Sequence, residues 1–272
     1  MKTILIPTDL GADTSNLLTY AAHLAVSEEA VLYIMHAAPG DVSIAETTLQ
    51  EVIRFALIGF ENRVNYRMIV REAEFSSALI NELVEELNAD LLLLAAGEHT
   101  GLGNLLFGTP VTNLIATLSC PVLALPRSYA ARPIHSIGYA TDLVDLAERL
   151  QEIVPFARRL NAQIDVFHVY PVFPEQVSVQ SYPTAQTVRL LRRQNDYEAI
   201  NLYFIKTDSD NDLPGGIHQF IEGYKPDLLV MCHQPRGLFD QLIFNAGDTL
   251  SVAKKPEVPL LALSAKSACK IM

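Results

Sequence analysis

Short apolar runs alternate along the chain with stretches in which apolar positions recur every three or four residues. Residues 4–7, 31–35, 66–70, 91–96 and 122–125 form the runs. Most are apolar at consecutive positions, the pattern of strands covered on both faces in a helix-flanked parallel sheet. Between them, Leu17, Leu18, Ala21, Ala22 and Ala25 predict one helix, with Ser15 and Asn16 as polar starters. Ile53, Phe55, Ala56 and Phe60 predict a second, and Leu79, Ile80, Leu83 and Leu87 a third. A further helix over 111–118 follows Thr109-Pro110, a capping hydroxyl before a proline at the first helical position. The β-α-β-α order with right-handed crossovers predicts an α/β, doubly wound parallel sheet.

The order then begins again. Ile137-Gly138-Tyr139-Ala140-Thr141-Asp142 echoes Ile4-Leu5-Ile6-Pro7-Thr8-Asp9, and Val166-Phe167-His168-Val169 echoes Tyr33-Ile34-Met35-His36. Asp90-Leu91-Leu92 returns as Asp227-Leu228-Leu229, and Cys120-Pro121-Val122-Leu123 as Val258-Pro259 and the apolar run after it. The separations, 133, 133, 137 and 138 positions, indicate an internal duplication. Two tandem domains follow, 1–127 and 134–272, with 126–133 as the linker. In the second repeat, Pro155 is expected to kink or interrupt the first helix. Residues 171–183 read as a loop. Arg189, Arg192 and Arg193 read either as a solvated helix face or as an anion or partner site.

Composition narrows the function. The 272 residues are 50% hydrophobic, ample for a packed core, and the formal charge is −11. That balance argues against a nucleic-acid partner, which needs a basic face, and against docking on an anionic membrane. No apolar run spans a bilayer, and the start of the chain, cut by Pro7 and Asp9, is no signal peptide. Three scattered cysteines form no disulfide framework, so a cytoplasmic protein with free thiols is expected.

In such sheets ligands sit beyond the carboxyl ends of the strands, where the strand order reverses. Thr8-Asp9 lies there, and so does the loop from Gly97 to Thr109, which carries four glycines and opens a helix. Glycine admits close approach of the backbone to a ligand, and a helix start offers free N–H donors, so the loop reads as a phosphate cradle or as a plain flexible connection. Asp9 reads as a ligand contact or as a polar cap on a strand. Cys232-His233 point to opposite faces of a strand and do not converge on a metal or nucleophile site. No P-loop, dinucleotide fingerprint, nucleophile elbow or metal-ligand spacing is present, so no metal and no enzymatic activity are expected.

The Pro7-Thr8-Asp9 start, the strand ending in His36, the glycine loop, Gly108-Thr109 and the closing Cys120-Pro121-Val122-Leu123 together resemble the universal stress protein family, over the whole chain as a tandem pair. The resemblance implies a Rossmann-like, adenine-nucleotide-binding type of fold with a five-stranded parallel sheet per domain, and a cytoplasmic stress-response role. Many members bind ATP and others do not. It places Thr8, Asp9, Ala37, Gly97, Thr100, Gly101, Gly108 and Thr109 around an adenine nucleotide or smaller anion. ATP-binding members carry Gly-x2-Gly-x9-Gly-Ser/Thr in this loop. Anchored on Gly108-Thr109, that pattern meets Ala95 and Glu98 at the first two glycines. A carboxylate at Glu98 repels a triphosphate. In the second repeat the same count meets His233, Arg236 and Ala246, so no nucleotide is expected there.

Two readings follow. One is a stress-response binding and signalling module with ATP or a smaller anion in the first domain. The alternative is a structural, dimerising stress factor that binds no nucleotide and acts through protein partners, as yet unknown. Each domain has a sheet edge to cover, so an intramolecular pseudo-dimer is expected, with a homodimer as a further arrangement.

Overall fold

The computed structural model describes residues 1–96, 118–126, 129–170, 183–207, 213–233 and 258–264. In the first half, β1 (Thr3–Thr8), α1 (Thr14–Glu28), β2 (Val31–Ala37), α2 (Val42–Ala56), β3 (Asn65–Arg71), α3 (Ser77–Glu86), β4 (Leu91–Ala96) and β5 (Val122–Pro126) follow in order. The second half repeats them as β6 (Ser136–Ala140), α4 (Leu146–Leu160), β7 (Gln163–Tyr170), α5 (Thr184–Asn195), β8 (Ile200–Lys206), α6 (Leu213–Tyr224), β9 (Leu228–His233) and β10 (Leu260–Ser264). The expected helix over 111–118 and the loop over 171–183 fall mainly outside the described residues.

All strands join one ten-stranded sheet in the order β3-β2-β1-β4-β5-β10-β9-β6-β7-β8. Each half is five parallel strands, doubly wound, with its order reversing beside β1 or β6. The halves meet where β5 and β10 pair antiparallel, Leu123 opposite Leu261. Alternate strand positions feed two layers. Ile4, Ile6, Leu32 and Ile34 pack under α1 and α2, and that core continues through Tyr139, Val166 and Leu228 beneath α4 and α5. On the other face Leu5, Met35 and Leu92 pack under α3, and Phe167, Ile205 and Met231 under α6.

The helices start and stop for local reasons. The Asp41 carboxylate accepts from the amides of Ser43 and Ile44 at the start of α2, and Ser76 caps α3 through Leu79 N–H. Helices α1, α4 and α5 end in left-handed residues that are not glycine: Glu29, Asn161 and Asp196. The buried stripe of α2 is Ala45, Leu49, Ile53 and Ala56. Phe55 is 70% exposed, and Phe60 lies beyond the helix, edge-on to His23 with ring centres 4.9 Å apart. Those two residues therefore do not belong to the buried stripe: the helix begins at Val42, about three turns before Ile53, and ends at Ala56. Helix α4 runs through Pro155 without interruption. The carbonyl that loses its partner belongs to Gln151, an exposed residue, so water can replace the missing N–H.

The duplication is written in hydrogen bonds. Asp90 accepts from Lys2 N–H and Thr3 N–H at the start of β1, and Asp227 accepts from His135 N–H and Ser136 N–H at the start of β6. His36 meets the Thr8 carbonyl at 2.8 Å and His168 the Thr141 carbonyl at 2.8 Å. The two histidines are thus equivalent at a separation of 132, one less than the motif alignment indicates.

The segment 126–133, expected as a linker, is partly structural. Pro126 closes β5. Tyr129 is buried, packs edge-on against Tyr20 at 6.2 Å, and donates to the Asp227 carbonyl at 3.1 Å. Asn16 Nδ2 donates to the Tyr129 carbonyl at 2.6 Å. Nearby, Arg159 Nε donates to Glu28 at 2.7 Å, and the Glu28 side chain is fully buried. The Met1 amino group lies 3.7 Å from the same buried carboxylate oxygen, so Glu28 keeps one cation when Arg159 is lost. Arg159→Ala is therefore expected to lower stability by about 1.5–3 kcal/mol, the loss of one charge-assisted hydrogen bond. Glu28→Gln, which leaves both cations without their anion, is expected to cost about 3–5 kcal/mol. Urea unfolding of the two variants checks this.

Gly138 in β6 makes room for an aromatic stack. A Cβ there would lie 2.7 Å from the Phe220 ring, which stacks on Phe167 with centres 3.7 Å apart. Gly138→Ala is therefore expected to cost about 1–3 kcal/mol by overpacking, read from the midpoint of urea unfolding.

Candidate functional site

The carboxyl ends of β1 and β4 adjoin at the strand-order reversal, in register through Ile4–Leu91 and Leu5–Leu92. The chain leaves β1 through a tight turn. The buried Thr8 hydroxyl meets the Thr14 hydroxyl at 2.8 Å and accepts from Leu10 N–H at 3.1 Å. Asp9 Oδ1 accepts from Gly11 N–H at 2.9 Å. Leu10 is held at φ 59°, the left-handed region that a leucine rarely enters. The turn fixes an exposed Asp9 carboxylate at the sheet edge, and its Oδ2 accepts no hydrogen bond among the described residues. Such a carboxylate suits a hydroxyl or amine donor rather than a phosphate.

His36 pairs with Thr8 in the sheet and stands half-buried beside the turn. A carbonyl only accepts, so Nδ1 carries the proton and Nε2 is the open acceptor of the neutral ring. Ala37 follows at the end of β2, in register with Arg71. The structure thus brings Thr8, Asp9 and Ala37 to one edge, with His36 among them. Gly97, Thr100, Gly101, Gly108 and Thr109, and Glu98 with them, lie outside the described residues. His36 was visible in the sequence only as the end of a strand motif. Its bond to Thr8 depends on strand register, which periodicity alone does not reveal.

The second half keeps the turn and changes its surroundings. Leu143 is left-handed at φ 69°, Thr141 accepts from Leu143 N–H at 2.9 Å, and Asp142 accepts from Val144 N–H at 3.0 Å. Strand pairing sets Leu91 opposite Ile4 and Leu228 opposite Ile137, so Ala95 corresponds to Cys232. Counting back from Val258-Pro259 gave His233 for that position. The strand register corrects this by one residue, and the position is still not a glycine. The Cys232 thiol lies 3.7 Å from the Tyr139 hydroxyl. Beside them in the fold Arg149 pairs with Glu152 at 3.0 Å, both side chains being mostly buried. Burial pushes the Cys232 thiol up to about 11, and burial likewise raises the Glu152 carboxyl. Among the described residues no group of histidine, cysteine and acidic side chains could hold a metal ion. Nor is any helix among them long and apolar enough to cross a membrane.

The model of the universal stress protein family matches residues 1–126. The first half of the chain belongs to the universal stress protein family. Its duplicated fold also matches whole solved structures. A protein of unknown function from Pseudomonas aeruginosa PAO1 is 17% identical, with a TM-score of 0.64 over 98% of this chain and 94% of that one. A universal stress protein from Archaeoglobus fulgidus DSM 4304 is 12% identical, with a TM-score of 0.64 over 96% and 98%. The cytoplasmic domain of a prokaryotic cation chloride cotransporter is 11% identical, with a TM-score of 0.55 over 98% and 96%. At these identities the likeness is one of fold, and a fold carried by a transporter domain as well as a stress protein does not by itself assign an activity. No curated protein matches the chain.

The raised Cys232 thiol gives a direct test of the second half. Alkylation needs the thiolate, which lies far below one per cent of the thiol at pH 8 when the pKa is about 11. The rate of iodoacetamide labelling at Cys232, followed by peptide mass spectrometry, is expected to climb about tenfold per pH unit from 8 to 10. A plateau by pH 9 would contradict the buried setting.

Proposed function

We propose that this protein is a cytoplasmic binding and signalling module of the stress response, whose first half takes an adenine nucleotide, ATP foremost, or a smaller anion. The observation that carries the reading is the turn at the carboxyl end of β1. It holds the Asp9 carboxylate exposed beside His36 and Ala37 at the strand-order reversal of a universal stress protein domain. In this arrangement Thr8, Asp9 and Ala37 receive the nucleoside, whose hydroxyls donate to Asp9. Gly97, Thr100, Gly101, Gly108 and Thr109 receive the phosphates through backbone N–H groups. The module senses by occupancy and performs no chemistry on the ligand.

One observation favours the second reading, a structural and dimerising stress factor without a nucleotide. Ala95 and Glu98 occupy the first two glycine positions of the ATP-binding pattern, and Glu98 is anionic where phosphates would approach. Calorimetric titration of ATP with magnesium into the protein, beside Asp9→Ala and Glu98→Gly, separates the two. The proposal expects saturable micromolar binding, weakened about tenfold or about 1.4 kcal/mol in Asp9→Ala. Binding only in Glu98→Gly identifies a site closed by one carboxylate. Silence in all three proteins removes the nucleotide and leaves protein partners as the ligands, and steady ATP turnover lost in Asp9→Ala would make the protein an enzyme instead.

A further inference from the structure

A cavity of about 430 Å³ lies at the seam between the two halves, lined by the second part of α1, the turn after α2, the segment before β6 and the end of α4. Both halves supply lining residues, and none of them belongs to the turn that bears Asp9. Its size is that of a small-molecule site. Its chemistry is unusual for this chain: the formal charge of the protein is −11, yet three arginines and a histidine line the cavity and, among the described residues, no acidic one does.

The three guanidiniums are held differently. Arg159 is anchored on the buried Glu28 carboxylate and Arg132 on Asp227 at 2.9 Å and the Tyr129 hydroxyl at 2.9 Å. Arg63 is exposed and has no ion-pair partner among the described residues. The anchored pair is thus preoriented while Arg63 is available to close on a ligand. Tyr20 also borders the cavity, with its hydroxyl buried out of reach of a ligand there. Phe60, set edge-on to His23, adds apolar lining together with Leu24, Ile134 and Leu160.

We propose that this seam cavity binds a phosphate monoester of a small apolar group. The phosphate is taken by the guanidiniums of Arg63, Arg132 and Arg159, and the apolar group lies against Phe60. Guanidinium forks match a phosphate dianion, and three of them exceed what a single neutral ligand needs. Both halves contribute groups, so occupancy clamps the ends of α1 and α4 together across the seam.

Phenyl phosphate is the probe, followed by amide resonances in two-dimensional NMR of the full chain. Saturable shifts are expected at residues 20–27 and 59–63 at sub-millimolar ester. Arg63→Glu, at an exposed position that leaves the fold intact by circular dichroism, is expected to weaken binding about tenfold or more. Inorganic phosphate and phenol, each carrying half of the ligand, are expected to bind more weakly than the ester. Absence of saturable shifts at these residues overturns the proposal. So does unchanged affinity in Arg63→Glu, and so does inorganic phosphate binding as tightly as the ester, which would reduce the cavity to a simple ion site.

Discussion

Everything in this molecule is arranged around three residue pairs: Leu260 with Ala124, Leu261 with Leu123 and Ala262 with Val122. They join β5 to β10 and turn two five-stranded sheets into one. Without that pairing each half would end in a strand whose side chains are almost all buried and whose backbone N–H and C=O groups faced water, an edge that invites aggregation. Pairing also fixes direction. Because β5 and β10 run antiparallel while each half is internally parallel, the carboxyl edges of the two halves point opposite ways. The turns at Asp9 and Asp142 therefore cannot share a ligand, and each half must stand or fall as a site by its own residues.

The backbone ladder at the seam is short, and side chains complete it. Tyr129 reaches from the connecting segment to both halves, meeting Tyr20 and Asn16 on one side and the Asp227 carbonyl on the other. The Glu28–Arg159 pair ties the end of α1 to the end of α4. A buried ion pair is a poor source of net stability, but its geometry is exacting, and it tolerates only one placement of the two helices. The seam is thus specified by directional contacts as much as by apolar area. The same contacts wall the arginine-lined cavity.

Much of the fold was legible in the sequence because buried parallel strands read as consecutive apolar residues. Residues 91–96 were placed to the residue, and 4–7 and 31–35 lacked only one or two residues at their ends. What was not legible depended on contacts distant in sequence. Tyr129 looked like linker because its neighbours are prolines, arginines and small residues, and only its distant partners make it core. The ends of α1, α4 and α5 carry no glycine signal, since Glu29, Asn161 and Asp196 take the left-handed conformation themselves. Gly138 gave no hint of the Phe220 ring it accommodates. At the candidate site, Asp9 was recognisable from its place after a strand, while the tie of His36 to Thr8 required the register of β1 with β2.

The two halves show how a duplicated site diverges while its frame persists. The turn geometry, the left-handed leucine and the histidine bond are the same in both, because they belong to the exit of a central strand and the fold demands them. The residues around that frame answer to no such demand. Where the first half has Ile6 and Ala95 on adjacent strands, the second has Tyr139 and Cys232, in contact through their polar atoms. Where α1 carries Asn16 and Thr19, α4 carries the Arg149–Glu152 pair. Larger and ionic groups sunk at that position need one another as partners, since buried polar atoms without them are costly. The Arg149–Glu152 pair meets that demand only in part, since Arg149 Nε and Glu152 Oε2 stay buried without a hydrogen-bond partner among the described residues. The first half instead carries small residues at Ala37 and Ala95 and an Asp9 oxygen uncommitted among the described residues.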